Sequence, residues 1–485
     1  MAAFDVVELV GRFRQQQVLV VGDVILDCYY SGRAERISPE GPVPVVQSGR
    51  KHQYPGGAAN AAANLAALGG KVRCLSVVGP DHAGRILQYE LAARGIEAQL
   101  VVEQGRTTLT KLRIIADQQY VVRWDEGDRQ ALTPTVEAEL LDRLADGFRE
   151  CDAVIVADYC YGALNDRIIT TISRLKQQYN RLVVVDSKNL PVYRGMAASV
   201  ITPNHVEAQR ALGWTVRDID SLGRDELEAL GQQLLEHVGS TWALVTLGAR
   251  GSLLFEAGQP TYRVAARPVA NPHVSGAGDT FTATLTLALA SGAPVQVAVE
   301  VAAEAAAVVV GKADTATVSS HELLQRLARS GLMPEIAVQL APTLARYRDA
   351  GKRIVFTNGV FDGLNSGHMA FLRAARQLGD LLIVGVNSDR GVLARRGTAS
   401  TFPERERVAA LAALDYVEHV VLFDELTPET IIQSVRPHIH VKGGDYRLDD
   451  LPEANAVRDV GGEIIILPLL EGQNQPYILS KWLQA

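Results

Sequence analysis

Short apolar runs alternate with helix-periodic segments along almost the whole chain. The runs at 18–23 (VLVVGD), 72–79 (VRCLSVVG), 153–158 (AVIVAD), 182–187 (LVVVDS) and 242–248 (WALVTLG) are unbroken and end in small or polar residues. A strand covered on both faces reads this way, because neither side of it can be polar. Between them, 58–69, 83–95 and 225–239 are helical in pattern. The alternation predicts a doubly wound α/β unit around a parallel sheet. From Glu97 to Arg123 the rhythm changes: three short alternating strands follow one another without a helix, which predicts a small antiparallel flap on that sheet.

The pattern restarts in the last third. Strand-like runs at 353–358, 380–389, 417–423, 438–444 and 461–468 enclose helical segments at 366–379 and 404–414. They predict a second, smaller α/β domain of Rossmann-like size. The expected division is a first domain over 1–330, a linker over 331–349 and a second domain over 350–485. One uncharged run, Thr280 to Val299, is long enough for a bilayer. Gly292 and Pro294 interrupt it, so two buried helices are the better reading and no membrane partner is expected.

Charge and cysteines narrow the chemistry. The chain of 485 residues carries 48 basic and 55 acidic side chains, net −7, which argues against a nucleic-acid partner. Phosphate ligands stay open, because backbone amides hold them without positive side chains. Cys28, Cys74, Cys151 and Cys160 form no C-x-x-C, so neither a zinc ribbon nor a disulfide scaffold is supported. Acidic Asp5 and Glu8 stand where a signal peptide wants positive charge, and a cytoplasmic location is expected.

The most informative string is Gly276-Ala277-Gly278-Asp279 at the start of a helical run. Such glycines let backbone N–H groups approach a phosphoryl group at a helix N-terminus, where the dipole favours negative charge. Asp279 is placed to take a proton from an attacking hydroxyl. Three more strings agree. Gly56-Gly57-Ala58-Ala59-Asn60 opens a helix with an amide suited to sugar hydroxyls. Thr202-Pro203-Asn204-His205-Val206-Glu207 sets Asn204 and Glu207 on one helical face, able to meet Mg²⁺-bound phosphate through water. Thr246-Leu247-Gly248-Ala249-Arg250-Gly251 is a strand-end turn suited to a nucleotide. No Walker string and no G-x-G-x-x-G occurs, which excludes a P-loop NTPase and demotes a dinucleotide dehydrogenase.

In this order the four strings resemble the ribokinase-like (PfkB) sugar kinases, over about residues 10–330. The resemblance implies ATP and Mg²⁺ as cofactors, Asp279 as catalytic base, the Gly276–Gly278 amides as anion hole and a β-flap lid over the sugar. A homodimer formed through that flap is expected. The segment 22–46 and Thr110–Ile114 (TKLRI) resemble the heptose 7-phosphate kinases more narrowly. That likeness puts Asp23 and Asp27 on sugar hydroxyls and offers Arg36, Lys111 or Arg123 to a sugar phosphate. His273-Val274-Ser275, Asp186-Ser187-Lys188-Asn189 and Tyr161 depart from the usual family strings.

A second centre lies at 357–368, Thr-Asn-Gly-Val-Phe-Asp-Gly-Leu-Asn-Ser-Gly-His, between a strand and a helix. Its amides suit an α-phosphate, and His368 suits charge growing on a leaving pyrophosphate. With Gly385-Val386-Asn387-Ser388-Asp389 and Val441-Lys442-Gly443-Gly444-Asp445-Tyr446, it resembles the cytidylyltransferase-like nucleotidyltransferases, over about 350–485. By that resemblance Asn358, Gly359, Phe361, Asn365, Asn387 and Asp389 contact nucleotide, while Lys442 and His368 serve catalysis. Asn365 stands where the family has histidine, Arg396 where it has lysine, and Gly472-Gln473-Asn474-Gln475-Pro476 where it has Ser-Thr-Thr. His438-x-His440 reads as alternate strand residues rather than a metal pair. The fusion resembles the bifunctional heptose 7-phosphate kinase and heptose 1-phosphate adenylyltransferase family, which makes ADP-heptose. The alternative is an active sugar-phosphate kinase whose C-terminal domain is catalytically impaired or prefers another nucleotide.

Overall fold

A computed structural model describes residues 6–117, 119–266, 269, 272–329, 337–423, 425, 427–444, 451–467, 469–470 and 475–476. The chain divides into two compact units, Met1–Leu324 and Gln325–Ala485.

In the first unit the strands are β1 (Gln17–Gly22), β2 (Val24–Ile37), β3 (Pro44–Gly57), β4 (Lys71–Val78), β5 (Glu97–Val102), β6 (Thr110–Ala116), β7 (Gln119–Glu126), β8 (Ala153–Asp158), β9 (Leu182–Ser187), β10 (Val200–Ile201), β11 (Trp242–Thr246), β12 (Ser252–Glu256) and β13 (Tyr262–Val264). Its helices are α1 (Val6–Arg12), α2 (Ala58–Ala67), α3 (His82–Ala93), α4 (Pro134–Glu150), α5 (Asp166–Tyr179), α6 (His205–Ala211), α7 (Arg224–Val238), α8 (Ala277–Ala290) and α9 (Val295–Val310), and the division falls inside α10 (Ser320–Arg329). Among the described residues the main sheet runs β13-β12-β11-β10-β9-β8-β1-β4-β5. It is parallel except at β12 and β13. Helices cover both faces, so β1, β8 and β9 are buried along most of their length, as their unbroken apolar runs require.

The flap differs from its expected composition. It is a four-stranded sheet in the order β3-β2-β6-β7. Glu97–Val102 is not part of it, pairing instead parallel to β4 at the edge of the main sheet. The reason is physical: a half-covered edge strand alternates just as an antiparallel flap strand does. The two long strands β2 and β3, read from sequence only as a motif, supply the other half of the flap. The run from Thr280 to Val299 splits into α8 and α9, and among the described residues no helix is long and apolar enough to cross a membrane.

The second unit contains β14 (Ile354–Gly359), β15 (Leu381–Asn387), β16 (His419–Phe423), β17 (Ile439–Gly443) and β18 (Glu463–Leu467). They pair in parallel in the order β16-β15-β14-β17-β18. Its helices are α11 (Ala337–Asp349), α12 (Ser366–Gln377), α13 (Asp389–Arg396), α14 (Glu404–Ala412), α15 (Glu429–Val435) and α16 (Ala454–Asp459). Much of the stretch expected as a linker is α11, and its Leu344 is buried in a core with Ile354, Phe356 and Val421. Strand order reverses between β14 and β17, and open parallel sheets bind ligands at the carboxyl ends beside such a switch.

Candidate functional site

In the first unit the chemistry gathers at the carboxyl edge of the sheet, where α8 begins. Gly276 caps that helix with φ +78°, a left-handed backbone that glycine adopts without strain. A Cβ there would stand 2.7 Å from the Asn60 amide, whereas the space above Gly278 is open. Ala277 forms the first turn with Gly278 and Asp279. The buried Asp279 accepts from Asn60 Nδ2 at 2.7 Å and from Tyr159 Oη at 2.5 Å. Burial pushes its carboxyl up to about 6 against the lowering effect of those two bonds. A base with a pKa near neutrality is suited to proton abstraction at physiological pH.

Asn60, expected on sugar hydroxyls, thus orients Asp279, and Asn64 Nδ2 donates to its oxygen at 3.2 Å. Asp23 is also displaced from its expected role. Its buried carboxylate accepts from the amides of Tyr159 (2.9 Å), Tyr161 (3.0 Å) and Ala163 (3.0 Å), pinning the loop that carries Tyr159. Gly56 and Gly57 accommodate the protein itself, since a Cβ would meet Asp27 Oδ2 at 2.4 Å and Asp23 O at 2.5 Å.

The flap's inner face supplies the rest of the cleft. Register sets Asp27 beside Lys111 and Tyr29 beside Arg113, then Lys111 beside Asp125 and Arg113 beside Arg123. Arg113, which the sequence reading left without a role, donates to Asp27 Oδ1 at 2.6 Å, and Thr315 Oγ1 donates to Asp27 Oδ2 at 3.2 Å. Arg123 is held bidentate by Asp125 at 2.7 and 2.6 Å. A cavity of about 640 Å³ lies between this face and the residues before α8, lined by Arg113, Val121, Arg123, His273, Ser275 and Asp314. Lys111 reaches the Tyr159 and Tyr161 rings instead, while Arg36 lies exposed near the far end of β2.

On the other side of Asp279, Asn204 and Glu207 close a capping box at α6. Asn204 Oδ1 accepts from the amides of Val206 and Glu207 at 3.0 Å, and Glu207 Oε2 accepts from Asn204 N at 2.9 Å. His205 is the first residue of the helix. Burial raises the Glu207 pKa. Asp186, not singled out by sequence, is driven well up by burial and by the charges of Asp279 and Glu207. Like-charged carboxyls held this way favour a cation. Thr246 ends β11 and is bridged to Asn204, and Gly248 opens the following turn. Gly251 is required by the chain itself, because a Cβ would stand 1.9 Å from Val264 O.

The second site sits at the switch point of the smaller sheet. Thr357 Oγ1 donates to Val441 O at 2.8 Å, tying β14 to β17. Asn358 then accepts from Lys442 Nζ at 2.9 Å, and the same ammonium lies 2.6 Å from Glu453. Beyond Gly359, Phe361 takes a left-handed backbone (φ +51°) and stands edge-on to His368, ring centroids 5.6 Å apart. Asn365 caps α12: its Oδ1 accepts from His368 N at 2.9 Å, and its own amide donates to His368 Nδ1 at 3.4 Å. With Nδ1 accepting, the imidazole proton belongs on Nε2, and burial lowers the ring's pKa. Asn365 thus orients the histidine through its oxygen.

Asn387 is buried at the end of β15, its Oδ1 without a partner among the described residues. Asp389, expected on nucleotide, is engaged within the protein: Arg407 donates to it at 2.8 Å, Ser400 at 2.9 Å and Glu404 N at 3.1 Å. Arg407 gave no sequence signal, lying in a segment (404–414) that reads only as helical. Yet it is buried and also donates to Val360 O (2.6 Å), Asn387 O (2.9 Å) and Phe402 O (3.0 Å). His438 accepts from Ile354 N at 3.0 Å and His440 packs on Phe356, so the two serve the strand. Asp445, Tyr446, Gly472, Gln473 and Asn474 lie outside the described residues.

Comparison with known proteins finds a family match in each unit. Residues 15–322 match the pfkB family carbohydrate kinases and residues 356–468 the cytidylyltransferase-like family. The bifunctional protein HldE of Geobacter sulfurreducens is 39% identical over 96% of this chain and 96% of its own. That of Pseudomonas paraeruginosa is 40% identical over 97% and 98%. By structure, phosphofructokinase-2 from Escherichia coli aligns with 64% of this chain and 98% of its own, at TM-score 0.54 and 19% identity. Arabidopsis thaliana ribokinase covers the same shares at 0.51 and 18%. These two show the ribokinase-like fold of the first unit. The chain belongs to the pfkB carbohydrate kinases through its first unit and, over its whole length, to the bifunctional HldE family, in which a nucleotidyltransferase domain follows the kinase.

Proposed function

We propose that the chain phosphorylates D-glycero-D-manno-heptose 7-phosphate at its anomeric hydroxyl with ATP, and transfers an adenylyl group to heptose 1-phosphate, giving ADP-heptose. The observation that carries the first reaction is Asp279, a buried carboxylate poised near pH 6 at the helix start that opens on the flap cavity. It takes the hydroxyl proton while the Gly276 and Gly278 amides serve the phosphoryl group, the Ala277 amide being engaged with Val274 O at 3.3 Å. Asn60 and Tyr159 hold the carboxylate in place. Mg²⁺ suits the oxygen donors present, with Glu207 and Asp186 holding it through water, and would neutralise charge on the nucleotide phosphates. Arg113 and Arg123, which line the flap cavity, favour a sugar that carries a phosphate.

In the second unit His368 Nε2–H and the Lys442 ammonium stabilise the pyrophosphate that leaves when heptose 1-phosphate attacks the α-phosphate of ATP. Removal of the 7-phosphate between the two reactions falls to a separate phosphatase. The cytoplasm, where ATP is supplied, is the proposed location. A homodimer through the flap is supported by its outer face, where Leu112 pairs with Trp124 and Ile114 with Val122, leaving Trp124 63% and Val122 47% exposed.

The full chain should form ADP with heptose 7-phosphate in preference to other sugar phosphates in a panel, and Asp279→Asn should abolish it while retaining ATP binding. Given heptose 1-phosphate and each nucleotide in turn, it should release pyrophosphate with ATP. Release with no nucleotide would favour the alternative of an impaired second domain.

A further inference from the structure

Two lysine ammonium groups converge beside Asp279. Lys111, on the flap's inner face, lies 5.4 Å from the ring centroids of both Tyr159 and Tyr161. Lys188, the first residue beyond β9, lies 5.0 and 5.9 Å from the same two rings. The rings are fixed from below, because Asp23 holds the amides of both residues and the Tyr159 hydroxyl is bonded to Asp279. The backbone of Lys188 is fixed too, its N–H donating to Asp158 O at 3.2 Å.

The inner-face arginines are already paired, Arg113 with Asp27 and Arg123 with Asp125. Among the described residues neither lysine has an ion-pair partner. Burial, and then the nearby charges of Lys188 and Arg123, lower the Lys111 pKa despite the opposing pull of Asp27. Cation–π attraction holds each ammonium over the rings. It does not remove the repulsion between the two, which an anion placed between them would turn into attraction. Lys188 also acts on Asp186 and Glu207, easing the ionisation of both. It therefore stands between the nucleotide side of the cleft and the base.

We infer that Lys188 is a further catalytic residue of the kinase: its ammonium binds the phosphoryl group in transit from nucleotide to sugar, with Lys111 opposing it from the flap. The inference rests on the kinase reading above. In the step, Asp279 takes the hydroxyl proton and the sugar oxygen bonds to the γ-phosphorus. The bond from that phosphorus to the β–γ bridging oxygen breaks, and ADP leaves with the electron pair. Charge spread over the three remaining oxygens is met by the lysine, a compact cation with three donors.

The test uses the full chain. Lys188→Met should lower kcat for sugar-phosphate-dependent ADP formation by about 100-fold, with KM for ATP within about threefold, and Lys188→Arg should recover about tenfold of the loss. In parallel, calorimetry measures how much aluminium fluoride, a mimic of the phosphoryl group in flight, tightens ADP binding in the presence of Mg²⁺. Lys188→Met should weaken that tightening about tenfold or more while leaving affinity for ADP alone unchanged. A Lys188→Met enzyme with wild-type kcat, or with undiminished tightening, overturns the inference. If the wild-type chain turns over no sugar phosphate, the kinase reading fails, and the aluminium fluoride measurement still decides the role of Lys188.

Discussion

A carboxylate that must accept a proton works best when its pKa lies near that of its surroundings, and burial moves Asp279 in that direction. The same burial costs stability. Because the folded carboxyl is pushed up to about 6, the folded chain binds this proton more tightly than the unfolded one, so stability falls as pH rises from about 4 to 6 and stays lower above. Kinase kcat/KM should therefore drop about tenfold per pH unit below 6, and Asp279→Asn should raise Tm at pH 7 while removing turnover. A variant with unchanged Tm would show that the buried charge costs nothing. Glu453 has the opposite sign. Burial raises its carboxyl, but His440 and Lys442 outweigh this and hold it at about 2. Its contribution is complete above the ordinary glutamate range and is lost as pH falls toward 2. Replacing it with glutamine should cost about 1–3 kcal/mol at pH 7. The Tm difference from wild type should close between pH 5 and 2, and a difference independent of pH would remove the ion pair as its cause.

Local pattern and tertiary partnership divide what the sequence discloses about these elements. The apolar runs disclose β1, β4, β8 and β9, because a strand buried on both faces has no polar alternative. The flap is half legible: alternation over 110–126 is visible, but β2 and β3 are long, mixed in polarity and defined only by pairing with one another. Asp279 is legible because its chemistry is local to GAGD. Tyr159, Arg113, Lys188, Glu453 and Arg407 are not, since each acquires its partners across about 11 to 120 residues of chain. Asn365 shows the same limit from the other side: the departure from histidine is plain in sequence, the cap it forms on α12 is not. Helix α11 was hidden by its position near an expected boundary. Truncating its fully buried Leu344 to alanine should destabilise the second unit by about 2–5 kcal/mol in denaturant titration. A cost near zero would mean that α11 contributes nothing to that core.

At the scale of the molecule, the exposed apolar outer face of the flap is the feature most open to test. A substitution Trp124→Glu should convert the proposed dimer to monomer in sedimentation while leaving the inner-face residues untouched. A dimer that persists would move the interface elsewhere. Both units also share one polarity, with their reacting groups at the carboxyl edges of parallel strands. Among the described residues, the opposite edges carry short returns from helix to strand, such as those at 68–70, 94–96, 180–181, 239–241 and 378–380. On the proposed reading, the candidate reacting groups of each unit lie away from these returns. Added residues at such a return need only close a longer loop, a cost that grows slowly with length. The same residues at 159–165 or 360–365 would displace a base or a histidine, so the places where this chain can be lengthened, labelled or tethered without silencing it follow from strand direction alone.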